Sequence, residues 1–201
     1  MAARPKQRGD KHADPGNAGP RRDGSADGKR LFRSGVDEIL QRTGISRCSF
    51  YYYFKTKEGF GAELIDRYRH FITQKLERCL SDTSLSPLGS LRAFVGEVRD
   101  EMARTDCRSG CLAGKLAQEV NTLPENFREQ LSAVFAEWQD VFARGLKRAQ
   151  ETGEISPELD CASTAAFFWY GWEGALQRAN LELNIKPVDI FIGNFFSRLT
   201  G

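Results

Sequence analysis

Two short amphipathic segments joined by a tight turn constrain the fold of this chain more than any other feature. In the first segment, Val36, Ile39 and Leu40 recur at helical spacing and form one apolar stripe. Gly44 ends that segment, because glycine readily takes the positive φ found at helix ends. Ser46 begins the next segment, since its hydroxyl can accept a free backbone N–H. The pattern therefore predicts two helices separated by a short turn.

The second segment, residues 47–54, has the sequence RCSFYYYF. Phe50 and Phe54 are four residues apart and would turn toward the same buried side. The three consecutive tyrosines at positions 51–53 cannot all face one core from a helix, which argues against the alternative of a buried helical hairpin with an aromatic core. This layout is that of a helix-turn-helix, whose second helix reads the major groove of DNA.

The charge of the chain is unevenly distributed. Residues 1–57 contain 13 Lys and Arg against 6 Asp and Glu, and the whole chain has a net charge of +2, so the remainder carries −5. A basic N-terminal region on an acidic body fits a DNA-binding head, because repulsion keeps the body off the phosphates. A basic disordered tail would explain part of this charge but not the cluster of Arg47, Lys55 and Lys57.

The stretch TGISRCSFYYYFKTKEGF, residues 43–60, resembles the recognition-helix pattern of TetR-type transcriptional regulators, T-G-[VI]-S-x-x-[ST]-[LF]-Y-x-[HY]-F-x-[ST]-K-E. The resemblance implies double-stranded operator DNA as a partner. It implies that the base edges are read by Arg47, Ser49 and Tyr52. It also implies phosphate contacts by a second set of residues, Ser46, Tyr51, Tyr53 and Lys57.

The N-terminal region departs from this family pattern. Residues 1–30 are rich in Gly, Pro, Asp and Arg without periodicity, and we expect a disordered basic tail. TetR-type regulators carry a full first helix here, whereas this chain keeps only Leu31 to Gly35 of it. A reading frame shifted upstream of Leu31 or a divergent N-terminus would account for the difference. The departure leaves open a dimeric ligand-binding module with a defective DNA-binding head.

The remainder of the chain predicts helices and shows no strand pattern, so the expected fold class is all-α. Residues 31–60 would form the helix-turn-helix region and residues 61–201 a helical ligand-binding and dimerisation domain. Apolar spacing and capping residues predict a long helix over 56–80, a helix from Pro87, a short helix over 111–120, a long helix from Pro124 to Gly153, one that ends near Leu183 and a last one from Pro187.

In TetR-like proteins the last two helices form a four-helix bundle with a second copy, so the resemblance implies a homodimer. Gly171, Gly174 and Ala175 would allow close helix approach. The alternative is that these two helices only close the core of the monomer. A dimer would place two recognition helices about one duplex turn apart on a pseudo-palindromic operator.

The resemblance also implies a small-molecule effector that binds in a pocket between the middle helices. Plain core packing is the alternative for each candidate, and no residue identifies the ligand. The candidate pocket residues are aromatic or apolar: Phe94, Met102, Phe135, Trp138, Phe168 and Trp172.

A cysteine in the stretch TDCRSGCLAGKLAQEV adds a second possibility. Cys111 matches a position at which some TetR regulators sense electrophiles or oxidants at a helix start. A helix N-terminus, Arg108 and Lys115 would stabilise its thiolate. Cys107 could act as a resolving partner. In other regulators with this SGCL segment the cysteine only packs.

Other function classes find little support in the residues. The chain has two histidines, His12 and His70, and no Ser/His/Asp set or Gly-rich phosphate loop, so we expect no enzyme and no cofactor. A zinc site from Cys107, Cys111 and His70 lacks a fourth ligand, and no metal is expected.

The expected location is the cytoplasm. No signal peptide or membrane-spanning run is recognisable, and five cysteines without a regular framework indicate a reducing compartment. The sequence thus predicts a repressor that a small ligand releases from its operator. Sensing through Cys111 and a ligand-binding module with a defective head remain the alternatives.

Overall fold

The computed structural model describes residues 36–200. The predicted disordered tail and the segment Leu31 to Gly35 lie outside the described residues. Every regular element in the described range is helical, which confirms the all-α prediction. The helices are α1 (Val36–Thr43), α2 (Arg47–Phe54), α3 (Lys57–Ser81), α4 (Pro87–Arg104), α5 (Leu112–Gln118), α6 (Glu125–Glu151), α7 (Cys161–Glu182) and α8 (Lys186–Thr200), with a 3-10 turn at Val120–Thr122.

Local sequence signals explain where the helices begin. Ser46, Thr56 and Ser86 each accept the backbone N–H three residues ahead, at 3.1, 2.9 and 3.2 Å. Asp160 caps α7 by accepting the N–H groups of Ala162 and Ser163, both at 3.0 Å. Caps of this kind contribute about 0.5–2 kcal/mol each, because they satisfy backbone donors that have no partner within the helix.

Helix α3 connects the head to the body. Its apolar side enters the core through Ile65, Ile72 and Leu76, which are buried against α4, α5 and α6. Gly145 lets α6 approach this layer, because a Cβ there would lie 2.8 Å from Cδ2 of both Leu80 and Leu91. The body is therefore built around a tightly packed interface between the connecting helix and α6.

Helices α7 and α8 pack on each other and on α6. Gly171 makes this possible, since a Cβ at that position would overlap the ring of Phe191. Their inner side carries Phe168, stacked 4.1 Å from the ring centroid of Phe142 on α6, and the fully buried Phe196. This side of the two helices closes the monomer core.

The outer side of α7 and α8 is apolar but exposed. We call it the outer face and define it by Phe167, Tyr170, Leu181 and Ile190. Tyr170 is 71 % exposed and Leu181 is 74 % exposed. Gly174 has no atom within 4 Å of the position that a Cβ would take. In the described part of the chain, no helix combines the length and apolarity needed to cross a membrane.

Candidate nucleic-acid interface and candidate effector site

The turn between α1 and α2 has the geometry that the sequence predicts. Gly44 adopts φ 72° and donates its N–H to the carbonyl of Leu40 at 2.8 Å. Two residues later Ser46 caps α2, and its hydroxyl also donates to Oγ of Ser49 at 2.9 Å. The start of the recognition helix is therefore fixed by local hydrogen bonds.

Three phenylalanine rings pack together and hold α2 against the first turns of α3. Phe50 is 1 % exposed and its ring centroid lies 5.2 Å from Phe54 and 5.3 Å from Phe60, while the last two rings are 4.9 Å apart. Gly59 allows this arrangement, because a Cβ there would overlap the carbonyl oxygen of Phe54. Lys55 takes φ 62° in the turn between the two helices. The predicted inward orientation of Phe50 and Phe54 is confirmed.

The opposite side of α2 presents tyrosines to solvent. Tyr52 is 71 % exposed, and its ring stands edge-on to that of Tyr53 at a centroid distance of 5.2 Å. Nζ of Lys55 lies 5.3 Å from the centroid of Tyr52, which adds a positive charge beside the ring. None of the seven expected DNA-contacting residues is buried. Five are exposed (Ser46, Arg47, Tyr51, Tyr52 and Tyr53), and Ser49 and Lys57 are half-buried.

The six expected pocket residues lie in or beside the aromatic core of the body. Five of them are buried, whereas Phe135 is half-buried and lines a surface hollow of about 130 Å³ with Ala117 and Leu131. Trp138 stacks on Trp169 at 5.2 Å. Plain core packing, the alternative for each candidate, is what the described residues show for Phe94, Met102, Trp138, Phe168 and Trp172.

The polar centre of the body lies beside these rings and involves two residues that the sequence analysis missed, Tyr68 and Glu173. Cys111 caps α5, and its sulfur accepts the N–H of Gly114 at 3.4 Å. Tyr68 of α3 and Glu173 of α7 lie close enough to the Cys111 thiol to influence its pKa. Glu173 packs directly on Gly114, where a Cβ would overlap its carboxylate. We call Tyr68, Cys111 and Glu173 the buried polar cluster.

Burial controls the protonation of this cluster. It raises the pKa of Glu173 to about 7, and the hydrogen bond from Cys111 offsets only part of that rise. Burial and then the charge of Glu173 raise the pKa of the Cys111 thiol well above its usual value. Burial likewise raises the pKa of the Tyr68 hydroxyl. The thiol and the hydroxyl therefore favour their neutral forms, whereas Glu173 changes protonation state near pH 7.

The predicted thiolate at Cys111 does not fit this environment. The helix start contributes one hydrogen bond from Gly114, but desolvation and a neighbouring carboxylate act more strongly in the opposite direction. Arg108 is exposed rather than packed beside the sulfur. Burial, followed by Asp106, also raises the pKa of Cys107. An inert, protonated thiol is the form that these surroundings favour.

Two buried side-chain atoms in the described residues have no hydrogen-bond partner, Nε1 of Trp169 and Oε1 of Glu173. They are one helical turn apart on α7, in the run FFWYGWEGAL. Glu173 is the single acidic residue in this aromatic run, and that feature of the sequence could have identified it as a candidate. Among the residues 36–200, no group of three or more His, Cys, Asp or Glu is placed to hold a metal ion.

A helix-turn-helix head on an all-helical body with an exposed aromatic recognition helix defines a DNA-binding regulator. Residues 87–195 match the family model described as the tetracyclin repressor-like C-terminal domain. The chain is 42 % identical over 161 residues to the transcriptional regulator AcuR of Cereibacter sphaeroides, covering 80 % of this chain and 74 % of that protein. The chain belongs to the TetR family of transcriptional regulators.

Further relatives support the same assignment. The repressor DhaR of Mycobacterium sp. strain GP1 is 28 % identical over 166 residues, covering 83 % of this chain and 82 % of that protein. The crystal structure of a regulatory protein TetR from Rhodobacter sphaeroides has a TM-score of 0.80 at 40 % identity and covers 85 % of this chain and 93 % of that one. These relatives confirm a transcriptional regulator rather than an enzyme.

Proposed function

We propose that this chain is a repressor that binds a pseudo-palindromic operator as a homodimer and leaves it when a small molecule binds in the helical body. The observation that carries the proposal is the two-sided recognition helix, in which Phe50 is locked inside while Tyr52 faces solvent. A rigid helix with an exposed polar and aromatic side is what insertion into the major groove requires. Such a protein acts in the cytoplasm, on chromosomal DNA.

The residues of the head divide into two roles. Arg47, Ser49 and Tyr52 read base edges, and Ser46, Tyr51, Tyr53 and Lys57 contact phosphates. The division follows the family pattern, and the exposure of five of these seven residues makes them accessible to DNA. Lys57 begins α3, so the backbone N–H groups and dipole at that helix start assist its phosphate contact.

The outer face supports the homodimer. Large apolar side chains exposed on two packed helices are typical of subunit interfaces. Tyr170 and Leu181 would be buried by a second copy, and Gly174 leaves room for a facing helix. The two-fold axis relates the two heads, as a pseudo-palindromic operator demands.

Helix α3 supplies the link between effector and DNA. Its 25 residues span about 37 Å at 1.5 Å per residue. Its first turn carries Phe60, whose ring packs against Phe50 of α2, and its middle carries Tyr68 of the buried polar cluster. A ligand that displaces Tyr68 therefore moves the helix on which the recognition helix is mounted, which changes the spacing of the two heads.

The test is fluorescence anisotropy of the purified full chain with a labelled duplex from upstream of its own gene. We expect binding that resists unlabelled competitor of unrelated sequence and weakens steeply with salt. A chain that elutes as a dimer but binds no DNA would contradict the proposal. That result would favour the ligand-binding module with a defective head, and a version with a rebuilt first helix would then bind where the present chain does not.

Sensing through Cys111 is the alternative function, and the surroundings of this cysteine give it less support. The protonated, buried thiol argues against oxidation in the closed body, since the thiolate is the reactive form.

A further inference from the structure

Helix α7 carries a buried hydrogen-bond donor and a buried hydrogen-bond acceptor that the described residues leave unpaired. We propose that Trp169 Nε1 and Glu173 Oε1 form the polar end of the effector site and bind an uncharged polar group of a small, partly apolar molecule. That group would accept from the indole N–H and donate to the carboxyl oxygen, as an amide, a hydroxyl or a protonated carboxyl does. The inference rests on the proposed ligand-released repressor and names the chemistry of its ligand.

The two atoms are unusual as a pair. Side chains four residues apart on a helix lie on the same face, so Trp169 and Glu173 point to the same side of α7. Buried donors and acceptors in proteins nearly always have a partner, either in the chain or in a bound molecule. Here a donor and an acceptor on residues one helical turn apart both lack a partner, and we infer from this a binding site rather than two unrelated packing faults.

The neighbouring side chains cannot supply the missing partners. Trp169 lies among apolar rings, with Trp138 stacked at 5.2 Å and Phe94 at 6.5 Å. The nearby polar side chains of Tyr68 and Cys111 make no hydrogen bond to either atom. A partner from outside the chain is therefore required to satisfy both atoms.

The hydrogen-bonding capacities of the pair select the ligand class. An anion would lie beside the Glu173 carboxyl, which repels it once ionised, and an ammonium-type cation could not accept from the indole N–H. An uncharged group with both a donor and an acceptor satisfies the two atoms together. The rings of Phe94 and Trp138 beside them favour an apolar or aromatic body on the same molecule.

Access to the pair lies under α5. This helix has seven residues and covers Glu173 through Gly114. The segment before it contains two non-glycine residues with positive φ, Asp106 at 49° and Cys107 at 56°. Asn180 of α7 holds that segment by donating its side-chain N–H to the carbonyls of Cys107 and Ser109 at 2.8 and 3.2 Å. Leu112, Ala113 and Leu116 of α5 are themselves buried, so a ligand reaches the pair only if this helix shifts together with its apolar contacts.

The test uses benzamide and benzyl alcohol as probes, with toluene as the apolar control of similar size. Binding to the full chain is followed by tryptophan fluorescence and, separately, by release of operator DNA. We expect benzamide and benzyl alcohol to bind the wild-type chain. In Trp169→Phe and Glu173→Leu their affinity should fall by about tenfold or more, as expected for a lost buried hydrogen bond.

Three controls keep this test falsifiable. Glu173→Gln keeps an acceptor and should hold benzamide within about threefold of wild type, since one neutral hydrogen bond replaces another. Glu137→Gln on α6 alters a carboxylate that is already paired with Arg69 and Thr73, and should leave probe binding unchanged. Circular dichroism of each variant shows that it is folded.

Equal binding of toluene and benzamide, or unchanged benzamide affinity in both Trp169→Phe and Glu173→Leu, would overturn the inference. So would a crystal structure in which only a water molecule bridges the pair with benzamide present. Fluorescence reports probe binding whether or not DNA is bound. A chain that binds the probes but no operator would therefore contradict the proposed repressor function and leave the site intact.

Discussion

The carboxylate of Glu173 fills the space that a side chain on Gly114 would need. Glu173 lies on α7 and Gly114 on α5, and a Cβ at the glycine would overlap Oε2. The contact joins the short helix that Cys111 caps to the long helix that carries the outer face. The glycine is therefore required by packing, not by its backbone conformation, and this sets up a direct test.

Gly114→Ala should destabilise the body, because the added methyl group pushes the buried carboxylate out of place. We expect a loss of about 1–3 kcal/mol in the free energy of unfolding, the usual cost of overpacking a core. Chemical denaturation measures it. Gly96→Ala is the matched control, because that helical glycine has no neighbour within 4 Å of a Cβ and the change should be neutral or stabilising. If Gly114→Ala and Gly96→Ala changed the free energy of unfolding equally, the contact between Gly114 and Glu173 would be contradicted.

Stability should fall as the pH rises from about 5 to 8, and Glu173 should cause the fall. Its pKa is raised from 4.5 to about 7 on folding, so the folded state binds the proton more tightly than the unfolded state. The stabilisation from the neutral carboxyl is fully present below the unfolded pKa and is lost as the pH passes the folded pKa. The shift of the Glu173 pKa from 4.5 to about 7 corresponds to a loss of about 3 kcal/mol in the free energy of unfolding across this pH range.

Unfolding free energies of wild type and Glu173→Gln across that pH range measure this effect. The glutamine variant should lose the decline, whereas Glu137→Gln should keep it, since the pKa of Glu137 is lowered and titrates at more acidic pH. The raised pKa values of Tyr68 and Cys111 act above pH 9 and leave this window unaffected. A decline that persists in Glu173→Gln would show that another group causes it.

Much of the fold follows from signals within a few residues of each helix end. Ser46, Thr56, Ser86 and Asp160 cap the helices that the sequence indicated, and the apolar spacing gave the long helices nearly to the residue. The polar centre of the body could not be predicted in this way. Glu173 and Gly114 are far apart in sequence, and no local pattern says that they touch.

The surroundings of Cys111 could not be predicted from the sequence for a related reason. The helix start and the nearby Arg108 and Lys115 are visible in the sequence and favour a thiolate. The desolvation and the carboxylate that outweigh them come from tertiary packing. The DNA-contacting residues could be assigned only through the family pattern, since exposure of Tyr52 is compatible with many surfaces.

Gly59→Ala should weaken specific DNA binding while the body stays folded. A methyl group there would overlap the carbonyl oxygen of Phe54 and break the turn that mounts α2 on α3. We expect operator affinity to fall by about tenfold or more, because displacements of the recognition helix remove whole base contacts. Size-exclusion chromatography should show an unchanged dimer. Full operator affinity in this variant would mean that the turn geometry does not position the recognition helix.

Charges on the outer face should separate the subunits. In Tyr170→Glu combined with Leu181→Glu, two exposed apolar side chains become carboxylates that the dimer would have to bury. Light scattering coupled to chromatography should then report a monomer. Phe71→Glu is the control, because that exposed ring lies on α3 and its substitution should leave the dimer intact. A dimer that survives the double substitution would place the interface elsewhere.

The most direct test of the account compares Arg47→Ala and Lys57→Ala for binding to the operator and to a scrambled duplex at two salt concentrations. Arg47→Ala should reduce the free energy of binding to the operator by about 1–3 kcal/mol, because it removes a base contact. The difference in affinity between the operator and the scrambled duplex should therefore become smaller. Lys57→Ala should weaken binding to both duplexes equally, because it removes a phosphate contact. The slope of log affinity against log salt concentration should become shallower by about one. If neither substitution changes operator binding, α2 does not lie in the groove and the proposed function is wrong.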